Sequence, residues 1–245
     1  MDSAPAIRPK ADHLQDDNGQ MGSRALLAAT LATAVLFIAG QAALGTPPAA
    51  AETGAQVIAW LREHGQGVRW YVWMTTVGTP PFVLMFVLLR RILPTPHREM
   101  FVLGGFIIVI TTAVQAWTWG GLALHANNLD PATARAILDV AIFWGPVLTG
   151  ATTTMIAPVA LLALRRRAGI PLWVGVAGLA AFTEQCIETV TIFGSAGFAQ
   201  PGGAMNLQLG AGLTAAWTLA FAFWGGLRGR AHQSADQVYA TRLGA

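Results

Sequence analysis

Cysteine occurs once in these 245 residues, and lysine once, since fourteen of the fifteen basic residues are arginine. A lone thiol excludes an intramolecular disulfide framework and any cysteine-rich zinc site. Charge is scarce as well. Asp, Glu, Lys and Arg together make up 11% of the chain, against roughly 25% in ordinary soluble domains. So few charges cannot coat a water-facing surface. In their place, 54% of the chain is hydrophobic, which is too apolar for a disordered chain, and no collagen period is present. What remains is an integral membrane protein.

The net charge of +3 does not mark a nucleic-acid binder. A nucleic-acid face needs a clustered basic stripe with stacking aromatics, and the basic residues here flank apolar runs instead, so no nucleic-acid partner is expected. A spanning helix needs about 20 mostly apolar residues. Six stretches qualify, at 24–45, 70–91, 100–125, 137–164, 171–194 and 207–227. The fold expected is therefore an all-α, polytopic bundle of six transmembrane helices over residues 24–228. A polar, disordered tail is expected at 1–23 and a second tail at 229–245.

Arginine bookkeeping gives the orientation. One set of flanks holds Arg8, Lys10, Arg24, Arg90, Arg91, Arg98, Arg165, Arg166, Arg167, Arg228, Arg230 and Arg242, and the other holds only Arg62, Arg69 and Arg135. By the positive-inside rule both termini and both tails are cytoplasmic, in a multi-pass protein of the cell membrane. Trp60, Trp70, Trp73, Trp117, Trp119 and Trp144 fall near the outer boundary, and Trp173 and Trp224 near the inner one. These read as interfacial belts, although the outer six are also enough to line a pocket. Ala49–Ala50–Ala51 after the first span imitates a signal-peptide cleavage site. The acidic Asp12, Asp16 and Asp17 ahead of that span argue for an uncleaved helix.

The largest external loop, 46–69, opens with Pro47–Pro48 and then carries a capping-box pattern at Thr53–Gln56. Val57, Ile58 and Leu61 form an apolar stripe, and Gly65 is a natural stop. The pattern predicts a short extracytoplasmic amphipathic helix at 53–64, lying on the membrane or capping the bundle. Asp130–Pro131 reads as an N-cap followed by the first helical residue. The loop from Gly194 to Asn206 is too rich in glycine and proline to be helical, with Phe198 as an interfacial anchor. Gly78–Thr79–Pro80–Pro81, Gly145–Pro146 and Pro158 are possible breaks inside spans.

Ionisable residues inside spans are functional candidates by default. Glu184 and Glu188 lie deep in the fifth span, four residues apart and so on one helix face. Thr191 and Ser195 extend that stripe, with Gln185 and Thr189 alongside. No lysine or arginine lies within a span to neutralise the pair. Three states are open: neutral carboxyls acting as polar glue between helices, a proton or cation site, or a hydrated pair. Partners are available on other spans: Gln115 with Thr111 and Thr112, and Thr149, Thr152, Thr153 and Thr154. Nearer the outer face, Asp139 and His125 could join Glu188 in a carboxylate–imidazole site. No other pair among these residues has ligand spacing on one helix, so no metal is expected. No span carries a well-buried histidine for haem, and no cofactor is expected. Cys186 reads as a buried, inert thiol. No nucleophile elbow, zincin motif or phosphate loop is present, so no enzyme signature marks the chain, and an intramembrane enzyme has only the set of glutamates, Asp139 and His125 in its favour.

The polar tail, the first span, the Pro–Pro loop with its short helix, and the external loop reading Gly–Gly–Ala–Met–Asn at 202–206 resemble uncharacterised six-span integral membrane proteins of actinobacteria. The resemblance spans residues 24–228. It implies a topology and a membrane location and no reaction. Two functions stay open. One is a small proton- or cation-linked transporter or sensor built on Glu184 and Glu188, with Thr191 and Gln115 in the site. The other is a non-catalytic scaffold or accessory subunit with structural glutamates, whose outer tryptophan-rich face meets lipid, another membrane protein or a second copy of the chain.

Overall fold

The computed structural model describes the backbone of residues 11–243 and the side chains of residues 22–145 and 147–229. It is 84% helical, with no strand among the described residues. Seven α-helices follow one another: α1 (Ala11–Leu44), α2 (Gly54–Leu89), α3 (His97–His125), α4 (Pro131–Ile142), α5 (Trp144–Leu164), α6 (Leu172–Glu188) and α7 (Ala211–Leu243). Six segments are long and apolar enough to cross a membrane: Gly22–Leu44, Gly54–Ile92, His97–His125, Pro131–Leu164, Leu172–Phe193 and Met205–Gly229. The expected all-α six-span bundle is what the chain builds. Its outward faces are apolar, as at Leu31, Val35, Ile110 and Val176, which is compatible with a membrane protein.

The spans close into a ring in chain order. Each packs on the next through α1, α2, α3, α5 and α6, and α7 returns to α1. The seam between α6 and α7 is the most sparsely packed of the six. Two apolar clusters fill the ring. One, toward the arginine-rich end, is strung along Phe82, Phe86, Phe101 and Phe221, whose successive ring centroids lie 4.9, 5.5 and 6.0 Å apart. The other, toward the opposite end, gathers Leu44, Val57, Leu61, Trp119, Leu122 and Leu138. At the arginine-rich end Arg228 donates to the carbonyls of Ala168 and Gly169 and lies 5.4 Å over the Trp224 ring.

Several local expectations change. Residues 11–23 continue α1 as helix and are not a disordered tail; the start of that tail, 1–10, lies outside the described residues. The helix expected at 53–64 forms, with both halves of its capping box at Thr53 and Gln56, but it does not lie on the membrane as a separate element. It runs unbroken into the second span, because Val57, Leu61, Val68, Tyr71 and Thr75 make one continuous buried stripe. Gly65 therefore stops nothing, while a side chain at Gly67 would collide with the carbonyl of Ala43. The resulting 36-residue helix is about 54 Å long at 1.5 Å per residue, well beyond a hydrocarbon core of about 30 Å. Its start, α4 and the end of α3 pack together at the end of the bundle opposite the arginine-rich one.

Asp130 caps α4 as expected, accepting from the Thr133 N–H at 3.1 Å, with Pro131 next. The fourth span divides between Ile142 and Trp144, since a proline at 146 has no N–H for the carbonyl of residue 142. Pro80, Pro81 and Pro158 leave their helices continuous, so those expected breaks do not open the backbone. Of the tryptophans, Trp70, Trp73, Trp117 and Trp173 face outward, but Trp119 is fully buried and leaves the belt.

Candidate functional site

α6 carries the site. Glu184 lies twelve residues in from its start, about 18 Å along the axis, near the middle of a bilayer core. Glu184, Gln185 and Glu188 are all buried, at 8%, 3% and 2% exposure. The face they share turns inward, toward α5 and the head of the last span. Cys186 is two residues from Glu184, about 200° around the helix. It is exposed on the outer face, where a buried thiol had been expected.

After Glu188 the helix tightens into a 3₁₀ turn, Thr189–Phe193. That brings Thr191 inward, fully buried, and carries Ser195 out to the surface, so the expected stripe ends at Thr191. The glycine-rich loop then folds back. Gly197 and Gly202 hold positive φ of 73° and 69°, and the chain re-enters as a π-helical turn, Met205–Gly210, ahead of α7. Such turns widen a helix by one residue and re-aim its side chains. Here the turn points Asn206 at Glu188 and sets the bare backbone of Gly210 against the Glu188 carboxylate, where any side chain would collide. Gly145, at the start of α5, gives Asn206 the same clearance, since a Cβ there would sit 3.0 Å from the Asn206 Cβ.

The hydrogen bonds form a closed inventory. The Asn206 amide nitrogen donates to Glu188 Oε1 at 2.5 Å and to the Thr191 hydroxyl at 3.1 Å. Its amide oxygen accepts from the Gly202 N–H at 3.0 Å. A backbone N–H can only donate, so that contact fixes which end of the amide faces the glutamate. The Gln185 amide nitrogen bridges the two carboxyls, at 3.0 Å to Glu184 and 2.6 Å to Glu188. Its oxygen accepts from the Thr152 hydroxyl on α5. Thr191 in turn donates to the Glu188 carbonyl at 2.8 Å. Two groups stay outside this network: Glu184 Oε1 and the Thr149 hydroxyl, both buried without a partner. No salt bridge among the described residues reaches either glutamate.

The other sequence candidates fall elsewhere. Gln115 is not in the glutamate site. It accepts from the Tyr71 hydroxyl at 2.9 Å and donates to the Ala141 carbonyl at 3.3 Å, tying α3 to α2 and α4. It lines a cavity of about 190 Å³ with Tyr71, Trp119, Trp144 and Gln208. The π-turn separates the two places, giving Asn206 to the glutamates and Leu207 and Gln208 to the cavity. Asp139 is paired with Arg135, at 3.0 and 2.5 Å, and Arg135 also donates to the carbonyls of Ala49 and Glu52. That makes Asp139 a clamp between α4 and the first loop. His125 ends α3 on the exposed surface and takes no part in the clamp or the glutamate network. The expected carboxylate–imidazole site is therefore not assembled. Among the described residues no group of three or more His, Cys, Asp or Glu side chains gathers to hold a metal ion.

Asn206 is the functional residue that sequence reasoning missed. Its one signal is an asparagine at the head of an apolar run, 18 residues beyond Glu188. No family model, curated protein or solved structure matches this chain.

Proposed function

We propose that this protein is a small proton-linked transporter or sensor of the cell membrane, with Glu184 and Glu188 as its titrating pair. The observation that carries the reading is a buried carboxyl pair bridged by amide N–H groups, with no basic side chain among the described residues on it and one carboxyl oxygen unpartnered. Structural ion pairs in membranes come with a counter-charge, and an intramembrane carboxyl without one is a default functional site. The donors around the pair favour a proton over a metal ion. A metal needs oxygen lone pairs aimed at it, whereas Gln185 and Asn206 aim N–H groups at the carboxyls. The thin α6–α7 seam supplies something for a proton to move, because Asn206 and Gly210 on the far side of that seam touch Glu188 directly. The positive-inside rule places the arginine-rich end, and with it both termini, in the cytoplasm.

The test is the melting temperature of the purified protein from pH 5 to pH 9, beside the Glu184→Gln/Glu188→Gln variant. The expected outcome is a wild-type pH dependence whose slope changes within the window, where the pair gains or loses its proton in the fold, and a weaker dependence in the variant, since the slope follows the difference in bound protons between the unfolded and folded states. If the wild-type slope stays constant across the series, or both proteins melt alike, the pair does not titrate in the fold, and the scaffold or accessory-subunit reading replaces this one.

A further inference from the structure

At the seam between α6 and the π-turn lies an open surface groove of about 470 Å³, lined by Val176, Leu179, Ile187, Met205, Leu209 and Glu184. Its size falls in the range of small-molecule sites. Val176, Leu179, Ile187 and Leu209 are 40–55% exposed on the apolar outer surface, so the groove opens to the bilayer and not to water. Only Thr183 and Glu184 bring side-chain polarity to its walls. Glu184 gives one oxygen to Gln185, and its other oxygen is buried and has no partner.

Leaving a carboxyl oxygen unpaired in an apolar setting is costly, and the remedy is a donor arriving from the groove itself. We propose that the groove is a lateral binding site for a membrane-dissolved amine, with the apolar tail along Val176, Leu179, Ile187 and Leu209 and the ammonium on the free oxygen of Glu184. This rests on the reading of Glu184 as the titrating group of the pair, and it names the class of ligand that would exchange with the proton. A cationic donor is favoured over a neutral one because charge-assisted hydrogen bonds to a carboxylate are the stronger kind and no basic side chain among the described residues competes for it. A second copy of the chain is a poor occupant, since an apolar helix face would seal the oxygen in without a donor. Glu188 is shut off from the groove by its own partners, Gln185 and Asn206.

The test uses the intact protein in phosphatidylcholine vesicles. Dicyclohexylcarbodiimide, which partitions into bilayers, adds to a carboxyl as a stable N-acylurea, and peptide mass spectrometry locates the adduct. The expected adduct is on Glu184 and not on Glu188; a water-soluble carbodiimide leaves Glu184 unmodified, and Glu184→Gln abolishes the labelling. N,N-Dimethyldodecylamine, whose ammonium donates a hydrogen bond but which forms no stable amide with an activated carboxyl, slows the labelling about tenfold and dodecanol does not, as a charge-assisted contact predicts. An adduct on Glu188 alone, no adduct on Glu184, or equal reaction with the water-soluble reagent overturns lateral access. Equal effects of amine and alcohol overturn the ligand class. The wild-type arms do not depend on any variant folding. A melting slope that changes within the pH window without a Glu184 adduct sinks this inference alone, whereas a Glu184 adduct with a constant slope sinks the proton-linked function.

Discussion

Asn206 commits every polar atom of its side chain: two N–H groups to Glu188 and Thr191, and its oxygen to Gly202. Asn206→Leu keeps the branched shape but adds volume, and it removes the amide contacts of Glu188, Thr191 and Gly202. The expected cost is about 1–3 kcal/mol, the penalty for leaving buried polar groups unsatisfied, read by denaturant or thermal unfolding in detergent micelles. Gly210→Ala acts on the same carboxyl from the other side. A methyl there meets Glu188 Oε2, and overpacking of this kind costs about 1–3 kcal/mol. If both variants melt with the wild type, the contacts between the π-turn and Glu188 do not hold the fold. The two glutamates were legible in the sequence because charge inside an apolar run stands out and a four-residue spacing puts both on one face. Asn206 was not, because an asparagine at the head of a span is unremarkable until a π-turn aims it across to another helix. Gln115 was misassigned for a related reason. Depth in a span can be read from position along it, but the facing partner depends on how each helix is rotated about its axis.

Among the elements, α2 is where local signals and packing disagree most. Gly65 carries the stop pattern of a short surface helix, yet nothing lies within 4 Å of a Cβ built there, and its backbone is helical. Gly65→Ala is expected to stabilise the protein by about 0.5–1 kcal/mol, the difference between glycine and alanine inside a helix. Gly67→Ala, two residues on, drives a methyl into the Ala43 carbonyl and is expected to lower the melting temperature. A destabilising Gly65→Ala would restore the separate surface helix. The division of the fourth span went the other way. Asp130 and the proline at 146 were enough to mark both the start of α4 and its end, since a cap and a missing N–H act on the backbone within one turn. The Arg135–Asp139 pair lay beyond such local rules. Its other contacts, to Ala49 and Glu52, come from a loop 83 and 86 residues away.

For the whole molecule, the arginine distribution makes a sided prediction. In a Cys186→Ser background, which alters only an outward-facing thiol, Asn127→Cys is expected to react with a membrane-impermeant maleimide on intact cells, and Arg166→Cys only after lysis. The reverse pattern would invert the topology and place the arginine-rich end outside. Composition and hydropathy by themselves determined that the chain is an all-α protein of six spans, because lipid leaves a backbone no other way to satisfy its N–H and C=O groups than the helix or the closed barrel. They also determined which two carboxyls lie deep. Only the tertiary structure decided what those carboxyls meet: that the spans close into a ring in chain order, that α6 and α7 form its thinnest seam, and that one glutamate is enclosed by amides while the other lines a groove and keeps one buried oxygen without a partner. The reason is physical. Hydrophobicity drives each helix into the bilayer and does not distinguish one apolar neighbour from another there. Which faces meet is settled by close packing at small residues such as Gly145 and Gly210 and by a few directional hydrogen bonds, and those act only once the helices are side by side.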